Sequence, residues 1–370
     1  MLKVLFLIHD LGRGGAEKVL VNLVNTIDKS KFDISVVSLF GGGVNEQFLS
    51  PDIKYRAVFP KSIPGNSKLM KLFTPKQLHK FCVKEHYDIE ISYLEGPSAR
   101  VISGCTEPNT KLVCWYHCTE NSYDFKNSFR NKQEAETCYK RANMMVYVSK
   151  NVQAAFQKIC HTSNNIVLYN TNDSNAIIAK SSETCELSNK SNDTFHWCSV
   201  GRLIEVKGYD RMLRIQKRLL DDGHKVHFHA LGVGNQQQVL EKWCQENEIS
   251  EYVTFWGYQT NPYKYVANCD LFVCASHSEG FSTAATEALI VGTPVCTVEV
   301  SGMKEMLGEN NEYGIVTDND ENELYQAIKK LIENPELLAH YKEMAEVRGK
   351  TFSTENTVKA VEDMLLSLRG

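Results

Sequence analysis

"KVLFLIHDLGRGGAEKVLVNLV", residues 3 to 24, runs a short apolar segment into His9 and Asp10. A glycine turn follows, then a helical pattern with apolar positions at Val19, Leu20, Leu23 and Val24. The apolar run is too short for a signal peptide or a membrane span and reads as a buried strand. The same strand, turn and helix order returns at "FHWCSVGRL", residues 195 to 203, so the pattern restarts halfway along the chain.

Outward from these two openings, short runs rich in Val, Ile and Phe alternate with longer helical patterns. The first half continues with "DISVVSLF", "DIEISYL", "KLVCWYH" and "MMVYVS"; the second with "KVHFHALG", "YVTFWG", "DLFVCAS" and "TPVCTVEV". Strands alternating with helices predict an α/β chain with parallel sheets covered on both faces. Two such sheets are expected to face a central cleft at the carboxyl ends of their strands, where ligands of these sheets bind. At 370 residues the chain also exceeds what one core usually serves. The Ser/Asn-rich stretch "NTNDSNAIIAKSSETCELSNKSNDT" has the composition of a linker or surface loop. We therefore expect a first domain over 1–170, a linker over 171–194 and a second domain over 195–352. A capped amphipathic helix over 353–369 would pack back on the first domain.

A net charge of −4 gives no basic field and argues against a nucleic-acid partner. The 12 cysteines are scattered, many in apolar contexts, as reduced core thiols of a cytoplasmic protein would be. Cys114, His117 and Cys118 in "CWYHC" lack a second pair at zinc-site spacing, so no metal and no cofactor is expected.

Three stretches carry chemistry. In "GRGGAEKVLVNLV", Gly14 and Gly15 present bare backbone at a helix start, which suits a phosphate or simply a tight turn. Glu17 stands where a dinucleotide fingerprint needs glycine, which argues against NAD. In "VGRLIEVKGYD", residues 200 to 210, Arg202 and Lys207 follow a buried strand. They suit a diphosphate that gains charge as it leaves, or are two solvated surface cations.

The third stretch is "SHSEGFSTAATEALIVGTPV", residues 276 to 295. Ser282 is a plausible N-cap, Glu279 lies in the turn before it, and Glu287 lies roughly 7.5 Å up the helix. Both carboxylates are then in reach of one ligand lying along the helix start, beside the small Ala284 and Ala285. The competing reading is a first-turn charge, an exposed helix position and ordinary packing.

Together these stretches resemble the retaining glycosyltransferases of family 4, which have the GT-B fold of two Rossmann-like domains. The likeness runs in order through "GGAEKVLVNLV", "WYHCTEN", "VLYNTND", "VGRLIEVKG", "ALGVGNQQQVLEKW", the Glu279-to-Glu287 stretch and "VSGMKEML". The resemblance implies a nucleoside diphosphate sugar donor, UDP-linked in the usual case, and a hydroxyl acceptor. It also implies work in bacterial polysaccharide or glycolipid synthesis.

By position, the resemblance puts Gly14 and Gly15 near the donor phosphates, Arg202 and Lys207 on the diphosphate and Glu287 on the ribose. Glu279 and His117 would lie beside the sugar. Backbone around Gly280, Phe281, Ser282 and Thr283 would hold sugar and phosphates, and Gly257 and Tyr258 would border the base. Thr171, Ser282 and Ser301 depart from the family's usual residues, the last two at the sugar pocket. An epimerase of the same fold, a glycosidase using the two glutamates and a non-catalytic nucleotide-sugar binder are the alternatives.

Residues 61 to 84, "KSIPGNSKLMKLFTPKQLHKFCVK", hold six lysines and no acid among large apolar residues. They suit peripheral contact with the inner face of an anionic membrane, or a solvated helix face covering core.

Overall fold

The computed structural model describes residues 1–12, 14–62, 65–118, 128–189, 193–279, 281–300 and 302–369. The chain divides into two compact units: Met1–Thr171 with Thr354–Gly370, and Asn172–Ser353. Both are parallel α/β units of Rossmann type.

Among the described residues, the first unit holds a seven-stranded sheet in the order β3-β2-β1-β4-β5-β6-β7. Its strands are β1 (Leu2–Ile8), β2 (Phe32–Phe40), β3 (Lys54–Phe59), β4 (Ile89–Tyr93), β5 (Lys111–Tyr116), β6 (Met144–Tyr147) and β7 (Asn165–Val167). Every pairing is parallel. Val4 to Ile8 have no exposed surface, as a strand covered on both faces requires. Strand order reverses beside β1, whose neighbours are β2 and β4.

The buried Glu90 on β4 interrupts the apolar pattern. His79, on the helix Pro75–Cys82, meets both of its carboxylate oxygens at 3.1 and 2.8 Å. A buried carboxylate left without such a partner would cost several kcal/mol, on the order of 3–5.

The second unit repeats the plan with six strands, again among the described residues, in the order β10-β9-β8-β11-β12-β13. They are β8 (Phe195–Val200), β9 (Val226–Leu231), β10 (Val253–Gly257), β11 (Leu271–Cys274), β12 (Val295–Val298) and β13 (Ile315–Thr317). The switch point lies between β8 and β11, which pair at Leu271 with Trp197 and Phe272 with Cys198. Fully buried Trp197 donates its indole N–H to Gln216 Oε1 at 2.8 Å. Gln216, equally buried, donates onward to the carbonyls of Val226 and Tyr252. Each polar group of this core amide thus has a partner, as burial demands.

The expected linker over 171–194 is corrected. Asn172 begins the second unit, and Asp173 caps a helix, Ser174–Ser181, by accepting from the Ala176 amide at 3.0 Å. Ile177 is buried, and the helix packs on those at Tyr263–Val266 and Thr283–Ile290. Of the serines and asparagines that suggested a solvated loop, Asn172 and Ser174 are buried, and Asn175 lies exposed on the helix. The last helix, Thr354–Ser367, lies in the first unit against the helix Gly15–Thr26.

Candidate active site

In the second unit, the loops that leave β8, β9 and β11 are fastened together by backbone. Gly201 N–H donates to Leu231 O at 2.9 Å and Leu203 N–H to Val233 O at 3.1 Å. A Cβ on Gly232 would come 1.9 Å from Gly201 O, and one on Gly234 would come 2.1 Å from Leu203 O. After this seam a 3-10 turn, Glu205–Lys207, ends at Gly208 with φ +66°, and a Cβ there would fall 2.1 Å from Ala275 O. Only glycine permits both that backbone and that approach. His277 N–H closes the other side, donating to Val206 O at 2.8 Å.

This arrangement delivers Lys207 to Glu279. The ammonium lies 2.5 Å from Glu279 Oε1, and the Ser276 hydroxyl donates to the same oxygen at 2.7 Å. Lys207 and Glu279 side chains retain 26% and 12% of their surface, so the pair is shielded yet reachable.

Immediately beyond, Ser282 caps the helix Thr283–Ile290, its hydroxyl accepting from Ala285 N–H at 3.3 Å. That hydrogen bond is what proline at this position would forgo. The remaining first-turn amides keep the positive end of the helix dipole, which favours an anion. Thr283 and Ala284 are half-buried there. Phe281 is buried and sets its ring edge toward Phe352, with centroids 5.8 Å apart. Glu287, one and a half turns in, accepts from the buried Tyr263 hydroxyl at 3.1 Å, which orients its carboxylate. Gly280 and Ser301 lie outside the described residues.

Arg202 is exposed on the β8 loop and has no side-chain partner among the described residues. The structure therefore brings Lys207 and Glu279 into contact and leaves Arg202 outside it. Gly257 ends β10 with φ +66°, where a Cβ would meet nothing; Tyr258 follows, 74% exposed. The loops after β8, β9, β10 and β11 all emerge at the carboxyl edge of the parallel sheet, where such sheets bind ligands.

In the first unit Gly14 is the N-cap of the helix Gly15–Thr26 at an ordinary φ of −77°, with no side-chain cap. The nearest atoms to a Cβ on Gly14 would be those at the flexible end of the Glu17 side chain. The turn before it is held by His9 and Asp10, which the sequence reading left unassigned. His9 Nδ1 and Asp10 Oδ2 are 2.6 Å apart, and Asp10 Oδ1 accepts from Gly12 N–H at 2.8 Å. The His9 hydrogen bond, the largest influence, holds the Asp10 carboxyl below its ordinary value.

His117 follows β5, its backbone N–H donating to Glu95 Oε2 at 3.0 Å and its ring 4.7 Å from that of Tyr93. Nε2 is buried with no hydrogen-bond partner among the described residues. Burial pushes the imidazole down to about 3, so it is neutral at physiological pH.

Ser276, Tyr263 and Glu95 were likewise missed. Ser276 stands three residues before Glu279, but nothing in its spacing marks it as a hydrogen-bond donor to that carboxylate. Tyr263 and Glu95 lie on other elements altogether.

The profile of glycosyltransferase family 4 matches residues 13–173, and that of the glycosyl transferases of group 1 matches residues 183–348. Over 379 residues, covering 100% of both proteins, the chain is 30% identical to a transferase of Campylobacter jejuni. That relative is N-acetylgalactosamine-N,N'-diacetylbacillosaminyl-diphospho-undecaprenol 4-alpha-N-acetylgalactosaminyltransferase. It is 23% identical to an uncharacterized glycosyltransferase of Haemophilus influenzae, across 99% of this chain and 100% of the relative. Among solved structures it is similar to Anabaena HepE in complex with UDP, with a TM-score of 0.78 at 19% identity, covering 99% of this chain and 100% of that one.

Proposed function

Since the chain belongs to glycosyltransferase family 4 and has the GT-B fold, we propose that it transfers a sugar from a UDP-sugar to a hydroxyl of a lipid-linked saccharide, with retention at the anomeric carbon. The observation that carries this reading is the Lys207–Glu279 pair set against the Ser282-capped helix start at the switch point of the second sheet. The Campylobacter relative, whose name describes alpha transfer onto a diphospho-undecaprenol saccharide, supports the acceptor class. HepE, solved with UDP and with UDP-glucose, supports the donor class.

In the proposed reaction the bond between the anomeric carbon and the phosphate oxygen breaks, and its electron pair leaves with UDP. The acceptor oxygen bonds to the same face of the sugar, and its proton passes to the departing phosphate. Positive charge develops on the sugar and negative charge on the diphosphate. Lys207, the helix-start amides and the exposed guanidinium of Arg202 stabilise the second, and the Glu279 carboxylate stabilises the first. These groups supply the neutralisation a divalent ion provides elsewhere, so we assign no metal to the reaction. Glu287, oriented by Tyr263, accepts from vicinal ribose hydroxyls, while Gly257 and Tyr258 border the base. Neutral His117 is assigned to a substrate hydroxyl, and Gly14 and Gly15 to close backbone approach by phosphate.

The test is a panel of nucleotide sugars scored for thermal stabilisation, slow donor hydrolysis and transfer to polyprenyl-diphosphate saccharides. A UDP-sugar that stabilises the protein, is consumed and appears on the acceptor is expected, with activity retained in EDTA. Interconversion of free nucleotide sugars without acceptor would make the protein an epimerase, and stabilisation without turnover a binder. Either outcome removes the transfer reading.

A further inference from the structure

Glu90 is the second residue of β4, level with Leu5 on β1 and Leu112 on β5. That places it toward the amino ends of the strands, away from the carboxyl edge where His117 and the Gly14 turn lie. His79 meets its carboxylate through Nε2, and Cys105, just after the helix Pro97–Ile102, brings a third ligand atom. Among the described residues this is the one group of three or more His, Cys, Asp or Glu side chains whose ligand atoms all lie within 4.8 Å of one another. Glu90 and Cys105 are buried, while the His79 side chain keeps 13% of its surface, so the way in from solvent runs past the imidazole.

The three elements that converge here are each fixed by the fold. Thr74 and Gln77 close a capping box at the start of the helix that carries His79. A Cβ on Gly104 would come 2.0 Å from Pro75 O, so only glycine lets the Cys105 turn lie against that helix start. Arg141 donates to Ser103 O, and to Cys105 O at 2.8 Å, which makes it a positioning residue for the thiol. Thr110 Oγ1 donates to Tyr87 O at 2.7 Å and ties the loop beyond Cys105 to the chain entering β4.

We propose that His79 Nε2, a carboxylate oxygen of Glu90 and the thiolate of Cys105 bind a zinc ion, with water completing a tetrahedron. Zinc accepts imidazole, carboxylate and thiolate together at about 2.0–2.3 Å, which sets its ligand atoms roughly 3–4 Å apart, close to the spacing already present. Magnesium and calcium prefer oxygen ligands throughout, so the sulfur and the imidazole select against them. One carboxylate and one thiolate also neutralise Zn²⁺, as a buried site requires. Burial, the largest influence, holds the Cys105 thiol above its ordinary value; the Glu90 charge acts in the same direction and the Glu107 backbone N–H in the other. Binding therefore releases the thiol proton to solvent, and His79 coordinates as its Nδ1–H tautomer. The ion clamps the helix Pro75–Cys82 to β4 and to the Cys105 turn, apart from the transfer reaction, to which no metal is assigned. The inference stands on the first unit alone and goes beyond the transfer reading.

Titration of the metal-free, full-length protein with zinc tests it. Saturating zinc should raise the melting temperature by about 5 °C or more, and magnesium should not. Cobalt(II), used as a spectroscopic probe, should give a thiolate-to-cobalt charge-transfer band that saturates at a single ion per chain. C105S and H79Q should each weaken zinc by about tenfold or more in competition with a chromophoric chelator. Both should melt like the wild type without metal, since serine is close in size and glutamine still donates to Glu90. C185S, which alters a thiol outside the group, should bind zinc as the wild type does. Absence of the band, a band that survives in C105S, or equal stabilisation by magnesium would overturn the proposal. Donor hydrolysis, expected to be the same with and without zinc, reports on the transfer reading separately.

Discussion

Lys207 and Glu279 neutralise each other at 2.5 Å, so an arriving diphosphate must draw the ammonium away from its carboxylate. Removing the lysine alone therefore loses a cation and also leaves Glu279 facing the incoming anion. We expect K207A to lower kcat/KM for donor turnover by about 10²–10³, and K207A/E279Q to bind donor better than K207A alone. Equal donor affinity of the two variants in a double-mutant cycle would remove the coupling.

His117 makes a pH prediction. Its folded value, about 3, lies below the ordinary 6.5, so between those values the unfolded chain binds a proton that the folded chain refuses. Stability must then fall as pH drops through that window, by up to about 1.4 kcal/mol per pH unit. His227, pushed down to about 4 mainly by burial, acts in the same direction. H117N should show a shallower loss of melting temperature between pH 6.5 and 5 than the wild type; identical slopes would refute the burial argument. Both glutamates and both cations were legible as candidates from spacing. Which of them touch was not: Lys207 and Glu279 are 72 residues apart, and Arg202, the cation closer to the end of β8, stays outside the contact.

At the scale of elements, the site depends on how close two loops approach. Gly208 sits at φ +66° beneath Ala275 O, and any Cβ would push the β8 loop away from the β11 loop. G208A should cost about 1–3 kcal/mol in strain, and donor turnover should fall further than stability, because Lys207 moves with the loop. Urea unfolding beside kinetics decides this: full turnover in a stably folded G208A would show that the approach does not position Lys207. The glycine itself was visible in "VKGYD"; the carbonyl it must clear was not. The ten strands named from the sequence were legible because strands buried on both faces read as nearly unbroken apolar runs, whereas β3, β7 and β13, short or half-buried, were missed. The helix Ser174–Ser181 was lost to composition: its serines and asparagines resemble a solvated loop, and its worth comes from the Asp173 cap and from Ile177 meeting other helices.

At the scale of the molecule, the chain returns to its first unit. Val358, Val361, Met364 and Leu365 of the last helix are buried, and Glu362 accepts from Asp28 N–H at 2.9 Å. Four such side chains, at about 1.5–3 kcal/mol each, rival the whole stability of a domain. Deleting residues 354–370 should therefore abolish hydrogen-exchange protection in the helix Gly15–Thr26 while the sheet around Trp197 stays protected. Loss spread evenly over both units would contradict the division. By itself the sequence determined the two parallel sheets, the order of the family's motifs and the charges offered to a donor, because periodicity and turn chemistry are local properties. Only the tertiary structure decided that Lys207 pairs with Glu279, that Tyr263 aims Glu287, and that the residues at 172–194 belong to the second unit. Those outcomes follow from which strands lie adjacent and from how near one backbone passes another, distances that no single stretch of chain encodes.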